Sequence, residues 1–218
     1  MQNLIFGLSS FLIAAAGFGF GAVRLFRKKK PLYFQLLVCA AGCFAIEQLS
    51  NVVNLWCGVT EPFSIGMFGI FGCNFFLLSA NYGTLDKIVD DGQGTRSARW
   101  TAILAPAAML LLTAAAFFAW RTQDLFCAVM WALILLPALP ASYFNLKHLL
   151  LPMDPFEFLR ATIPCNASAL VFYVVTAAYV ICLTWAGSVV SGILSVMMSL
   201  AVLGLSLCAV KGAKKWGI

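Results

Sequence analysis

The fold is decided by residues 4–30, LIFGLSSFLIAAAGFGFGAVRLFRKKK. The apolar part is long enough for one membrane-spanning helix, which needs about 20 residues. No charged residue precedes it, whereas Arg24 and the four cations of residues 27–30 follow it. A cleavable signal peptide has its positive charges first. Because Lys and Arg stay on the cytoplasmic side during insertion, this order predicts a retained helix with its N-terminus outside.

The rest of the chain continues this apolar character. Of its 218 residues, 62% are hydrophobic and 10% are charged, whereas a soluble domain keeps roughly a quarter of its residues charged. Residues 1–218 are therefore predicted to form a single domain, an all-α integral membrane bundle of seven transmembrane helices. The expected helices are about residues 4–26, 31–56, 63–88, 100–120, 125–146, 161–185 and 188–210.

The basic residues predict the topology of this bundle. With these helices, every Lys and Arg except Arg121 falls on one side of the membrane. This distribution predicts an outside N-terminus and a cytoplasmic C-terminus. The net charge of +6 is then explained by topology and by contact with the lipid bilayer, so no nucleic-acid partner is expected. The short loops favour a bacterial inner (plasma) membrane.

The cysteines and the single histidine form no cofactor motif. No CxxC occurs among the eight cysteines, and a metal, haem or iron–sulfur site needs clustered soft ligands. We therefore expect no metal and no other cofactor. Cys57 and Cys127 are both predicted near the outer face, where two free thiols and a disulfide are the alternatives.

Glu47 is the only acidic residue well inside a predicted span. Counted along helix 2, it lies near the bilayer midplane and slightly toward the outside. A charged carboxylate is costly there, so the side chain must be protonated, paired or in contact with a wet cavity. No cation of any span is available to neutralise it, so we expect a largely protonated acid at rest.

Polar side chains accompany Glu47 along helix 2. Gln48 is its neighbour, and Asn51 and Asn54 follow at i+4 and i+7, on the same helix face. This stripe predicts an outward-opening cavity that binds a substrate or an ion. Asn74 of helix 3 is expected at the depth of Glu47, within hydrogen-bonding reach. The alternative is that Glu47 is a neutral acid that only ties helix 2 to helix 3.

A second polar cluster is predicted toward the cytoplasm. Its members are expected at similar depth on helices 3 and 6: Ser79, Asn81, Tyr82, Asn166 and Ser168. Such groups suit an inner gate or a vestibule that faces a partner. The alternative is ordinary interhelical hydrogen bonding.

Small residues and prolines mark other features of the helices. Helix 1 has a stripe that ends in Gly17-x-x-x-Gly21, and helix 7 has one that includes Ser191 and Ser195. Both are expected to be packing faces, with a polar cavity beside the helix 7 serines as the alternative. Helices 4, 5 and 6 are expected to be interrupted by prolines: Pro106, Pro137, Pro140 and Pro164.

The histidine, His148, is predicted at the end of helix 5, before a loop with Asp154 and Glu157. A side chain that faces solvent or headgroups is the expectation. An acid–base set acting on a lipid headgroup is the alternative, and an enzyme is not expected.

Two functional hypotheses follow from Glu47. The first is a small transporter or channel, proton- or cation-coupled, whose substrate or ion passes Asn54, Asn51 and Glu47. The second is a seven-helix sensor, receptor or complex subunit that signals through a separate cytoplasmic protein partner. A homo-oligomer is compatible with either hypothesis.

Overall fold

The computed structural model describes residues 2–26, 30–59, 63–86, 96–151, 160–185 and 188–216. In these ranges every regular element is a helix, and seven helices are long and apolar enough to cross a membrane. They are α1 Gln2–Leu25, α2 Leu32–Cys57, α3 Ile65–Leu85, α4 Arg96–Arg121, α5 Leu125–Leu150, α6 Ile163–Trp185 and α7 Ser188–Lys215. The prediction of seven such helices is confirmed, and the chain has the architecture of a polytopic integral membrane protein.

The bundle has two chemically different ends. Most of the described cations lie where α1, α3, α5 and α7 end and where α2, α4 and α6 begin, for example Arg24, Lys147 and Lys211. We call this the cation-rich end. The opposite end has Arg121 and Asp124 in the turn between α4 and α5.

The helices pack as neighbours around a buried core. α1 contacts α2 and α7, α2 also contacts α3, and α6 contacts α4, α5 and α7. The small-residue stripe of α1 is buried. A Cβ on Gly17 would lie 3.1 Å from the Cα of Leu203 in α7. The stripe is therefore a packing face, since glycine lets the two backbones approach closely.

Prolines account for the interruptions of α4 and α5. α4 is divided at Ile103, and α5 is divided at Leu136–Pro137. The ring of Pro106 clashes with the carbonyl four residues earlier, and proline supplies no N–H to the helix. Pro164 is the second residue of α6, where a helical N–H has no partner anyway. The prediction that Pro164 interrupts a helix is therefore wrong.

α3 changes its helical form along its length. A short 3₁₀ turn, Ile65–Met67, leads into an α-helix, Phe68–Leu78, which continues as a π-helix, Ser79–Leu85. π-Helical segments are rare in proteins, and those that do occur are often found at functional sites. This segment lies at the cation-rich end.

The cysteines are all unpaired thiols. Cys57 is exposed, and the buried Cys127 donates its thiol proton to Asp124 Oδ2 at 3.1 Å. Of the two alternatives for this pair, the structure has the free thiols.

Candidate functional site

Glu47 begins a chain of hydrogen bonds that crosses from α2 to α7 and α1. Its side chain is 3% exposed, and Gln48 Nε2 donates to Glu47 Oε2 at 2.7 Å. Ser195 Oγ lies 3.2 Å from Gln48 Oε1 and 3.0 Å from Ser10 Oγ. Because a hydroxyl has one proton, Ser195 donates to Gln48 when Ser10 donates to Ser195. We call these four residues the carboxyl network.

A cavity of about 180 Å³ lies beside this network, at the end of the bundle opposite the cation-rich end. It is bounded by residues of α1, α2, α6 and α7, and its polar lining consists of Asn3, Asn51, Tyr179, Ser191 and Ser195. Ser195 belongs to both the cavity and the carboxyl network. Its hydroxyl therefore connects the cavity to Glu47 through Gln48.

The residues of the polar stripe predicted along α2 do not all face the same surroundings. Asn51 lines the cavity, whereas Glu47, Gln48 and Asn54 do not. A Cβ on Gly69 of α3 would lie only 2.6 Å from Glu47 Cβ. This close approach places Glu47 in the contact between α2 and α3. There its side chain accepts a hydrogen bond from the neutral amide of Gln48 and does not line the cavity.

Asn74 does not form the expected hydrogen bond with Glu47. Its Nδ2 donates to the carbonyl of Ile134 in α5 at 3.1 Å, and its buried Oδ1 has no hydrogen-bond partner among the described residues. Gly69 is the residue that opposes Glu47. Asn74 comes five residues later, about 7.5 Å further along the axis. The predicted depth was wrong by more than one turn, and Asn74 instead supplies a donor just before the interruption of α5.

A second network, of which the sequence analysis predicted only Asn81 as a site residue, joins α3, α5 and α6 near the cation-rich end. Asn81 Nδ2 donates to Asn145 Oδ1, and Asn145 Nδ2 donates to the hydroxyl of Tyr173 at 3.2 Å. His148 Nδ1 lies 2.9 Å from Asn81 Oδ1, so this nitrogen has the proton in that bond. All four side chains are buried. We call them the amide network.

An ion pair adjoins the amide network. Lys147 Nζ lies 2.6 Å from Asp86 Oδ1, and His148 Nε2 lies 3.4 Å from the same oxygen. Partial burial raises the pKa of Asp86, but the contacts of its carboxyl group with His148 and Lys147 outweigh this effect, so its pKa lies below the ordinary value of 3.8. Asp86 is therefore a carboxylate at neutral pH and fastens the end of α3 to α5.

His148 is 1% exposed, so the prediction that it faces solvent or headgroups is wrong. α5 continues to Leu150, and the histidine therefore lies inside the helix, facing α3. Asp154 and Glu157, its proposed partners in an acid–base set, lie outside the described residues.

The five residues predicted as an inner gate do not form one cluster. Asn81 alone joins the amide network. Tyr82 is 57% exposed and packs on the ring of Phe144, Ser79 is only half-buried, and Ser168 faces Gly204 of α7. Asn166 Oδ1 accepts a hydrogen bond from the hydroxyl of Tyr33 in α2 at 3.1 Å. Residues that share a depth are thus separated by the direction in which each helix face points.

Apolar side chains separate the two networks. Phe44 lies one turn from Glu47 toward the cation-rich end, and Phe172 precedes Tyr173 in the chain. Their buried rings meet edge to face, with centroids 5.4 Å apart. No described hydrogen bond joins the two networks across this aromatic contact.

The comparisons with known proteins add no functional information. No protein-family model, curated protein or solved structure matches this chain. In the described part of the chain, no three His, Cys, Asp or Glu side chains are grouped so as to hold a metal ion. The function is therefore inferred from the two networks and the cavity.

Proposed function

We propose that this protein is a small membrane transporter or channel that moves protons or a small cation past Glu47. The carrying observation is Ser195, a residue that lines the cavity and whose hydroxyl also bonds to Gln48, the partner of Glu47. An acid buried in a membrane span is a functional residue by default. Here a hydrogen-bonded path leads to it from the surface.

The cation distribution orients this path. Lys and Arg concentrate on the cytoplasmic side of membrane proteins, so the cation-rich end faces the cytoplasm and the N-terminus is outside. The cavity then opens to the exterior. A bacterial inner membrane is the proposed location.

The size of the cavity favours a small cargo. A volume of about 180 Å³ holds about six water molecules at roughly 30 Å³ each. Pockets for larger organic ligands measure about 300–1,000 Å³. Protons, hydronium or a small hydrated cation fit this space better than a sugar-sized substrate does.

The amide network and the Asp86–Lys147 pair provide an inner gate for such a path. They hold α3 to α5 at the cytoplasmic end through buried bonds. α3 is π-helical there, and α5 is interrupted at Leu136–Pro137. Irregular helical segments of this kind are where helices bend. Opening requires these bonds and the Phe44–Phe172 contact to separate.

A sensor with a separate cytoplasmic partner is the second candidate. It is favoured by the Phe44–Phe172 pair, which is buried and lies between Glu47 and the cation-rich end. A ligand bound in the cavity would then remain there, and its effect would reach α5 through the amide network.

Proton flux into proteoliposomes under an imposed pH gradient tests the proposal. Glu47→Gln is nearly isosteric and removes only the ability to ionise, so we expect flux to fall to the level of empty vesicles. Asp124→Asn is the matched control, because it removes a carboxylate outside the spans and Asn also caps helices. It should leave the flux unchanged.

Two results would contradict transport past Glu47. Undiminished flux in Glu47→Gln would exclude this residue from the path. No flux of protons, Na⁺ or K⁺ in the wild type would remove ion transport altogether. Co-purification of a stoichiometric cytoplasmic partner in mild detergent would then favour the sensor.

A further inference from the structure

Two basic cavities flank the end of α7 at the cation-rich end of the bundle. The first, of about 540 Å³, lies between α1 and α7, and its cations are Arg24, Lys30 and Lys214. The second, of about 410 Å³, lies between α6 and α7, and its cations are Arg160, Lys211, Lys214 and Lys215. Lys214 lines both cavities. No described acidic side chain lines either one.

Both cavities combine a cationic rim with apolar walls. The walls of the first include Val23, Leu25 and Val210, and those of the second include Pro164 and Cys208. These residues lie at the ends of the apolar spans. The complementary ligand has a negative head and a hydrocarbon tail, and basic pockets between helices on the cytoplasmic side suit lipid headgroups.

The basic end of α7 is held in place by packing. α7 was expected to end near residue 210 but continues to Lys215. The ring of Trp216 stacks on Tyr33 at 6.5 Å and meets Phe34 edge to face at 5.3 Å. The lysines therefore project from a fixed helix on α2, and little ordering is needed when an anion binds.

The charge balance at this helix end favours an anion. The C-terminus of a helix has a partial charge of roughly −0.5, which by itself repels anions. Lys211, Lys214 and Lys215 place three unit positive charges in the last turns. Their attraction exceeds the repulsion by the helix end.

We propose that these two cavities bind anionic phospholipids from the leaflet at the cation-rich end. The headgroup phosphates contact Lys214 and its neighbouring cations, and the acyl chains lie along the apolar walls. The site is distinct from the Glu47 cavity, which opens at the opposite end, and does not depend on the transport function.

Lipid retention by the purified full-length protein tests this site. Native mass spectrometry in a neutral detergent would compare phosphatidylglycerol with phosphatidylcholine. We expect preferential retention of phosphatidylglycerol, weakened by salt. Arg24→Gln and Lys211→Gln should each lower its affinity about fivefold, as expected for one lysine or arginine near a lipid surface. Lys214→Gln should lower it more, because this residue lines both cavities.

Arg121→Gln is the matched control, since it removes an exposed cation at the opposite end and should change nothing. Equal retention of the two lipids, or equal effects of Lys214→Gln and Arg121→Gln, would overturn the proposal. Displacement of phosphatidylglycerol by millimolar inorganic phosphate would assign the site to a soluble phosphate compound and overturn the lipid assignment. If a variant does not fold, the lipid preference of the wild-type protein and its competition with inorganic phosphate still test the proposal.

Discussion

Two acidic side chains, Glu47 in the carboxyl network and Asp86 beside the amide network, have opposite kinds of partner. Glu47 is almost fully buried, and its described hydrogen-bond partner is the neutral amide of Gln48. Asp86 is 20% exposed and lies against Lys147 and His148. A neutral hydrogen-bonded chain can gain or lose a proton without breaking an ion pair, whereas a carboxylate with a lysine partner stays ionised.

Under the proposed function, this difference gives the two groups different roles. The carboxyl network, which is connected to the cavity, would exchange protons or a cation. The Asp86–Lys147 pair, which joins the ends of two helices, would hold the inner gate closed. Substitutions at Asp86 should therefore affect stability most, and the conservative change at Glu47 should affect flux most.

Of the substitutions at the two acids, Asp86→Ala should give the larger loss of stability, about 2 kcal/mol. Removing one partner of a fully buried ion pair costs about 3–5 kcal/mol, and an exposed pair contributes about 0–1 kcal/mol. The Asp86–Lys147 pair is partly buried, so its loss should cost an amount between these two values. Unfolding of the purified protein in mixed micelles with increasing sodium dodecyl sulfate measures the change. Glu47→Gln, which keeps its amide partner, is the comparison and should lose less than 1 kcal/mol, about one neutral hydrogen bond. Equal losses would remove the distinction between the two carboxylates.

Gly69→Ala should cost about 1–3 kcal/mol, the usual range for overpacking. Its Cβ would lie 2.5 Å from the carbonyl oxygen of Cys43 and 2.6 Å from Glu47 Cβ, so α2 and α3 must separate. The same unfolding titration measures this. Gly19→Ala is the matched control, because no described atom outside its own stretch of helix lies within 4 Å of its Cβ position. A Gly69→Ala protein as stable as Gly19→Ala would contradict the placement of Glu47 between α2 and α3.

Ser195→Ala should cost about 0.6–2 kcal/mol, the range for one interhelical hydrogen bond in a membrane bundle. It should also slow proton flux, because it breaks the link between the cavity and Gln48. Ser199→Ala is the control, since Ser199 Oγ donates to the carbonyl of Ser195 in its own helix at 3.1 Å. Equal flux in the two variants would mean that the carboxyl network does not form the path.

Acid should produce the smallest effect, a loss of stability below about pH 4. The pKa of Asp124 is lowered by hydrogen bonds from Cys127 and Phe126, and that of Asp86 by His148 and Lys147, relative to an ordinary value of 3.8. A lowered pKa in the folded state stabilises the protein above the unfolded pKa, and this stability is lost as pH falls through the folded pKa. Thermal midpoints from pH 7 to pH 3 measure it. Asp86→Asn and Asp124→Asn should each flatten the decline, and parallel curves would contradict the assignment.

The sequence predicted the helices better than the contacts between them. Hydropathy locates spans because each must cover the hydrocarbon core, and it placed the ends of α2 within one or two residues. Asn74 was misplaced because the register of α3 against α2 depends on the close contact at Gly69, and His148 was misplaced because α5 continues to Leu150. The polar residues Asn145 and Tyr173 were visible in apolar spans, and the spacing of Asn145 and His148 at i, i+3 was a usable signal. No comparable sequence pattern indicates the π-helical segment that orients Asn81 toward Asn145 and His148.

The amino-acid sequence by itself determined seven apolar helices, one acid within a span and a single cation-rich end, because burial in lipid and charge placement are properties of each segment. Tertiary structure decided that Ser195 connects Glu47 to the cavity, that Lys147 and His148 face Asp86, and that Lys214 lies between two basic cavities. These pairings join residues far apart in the chain, and their geometry depends on the rotation and depth of each helix against its neighbours.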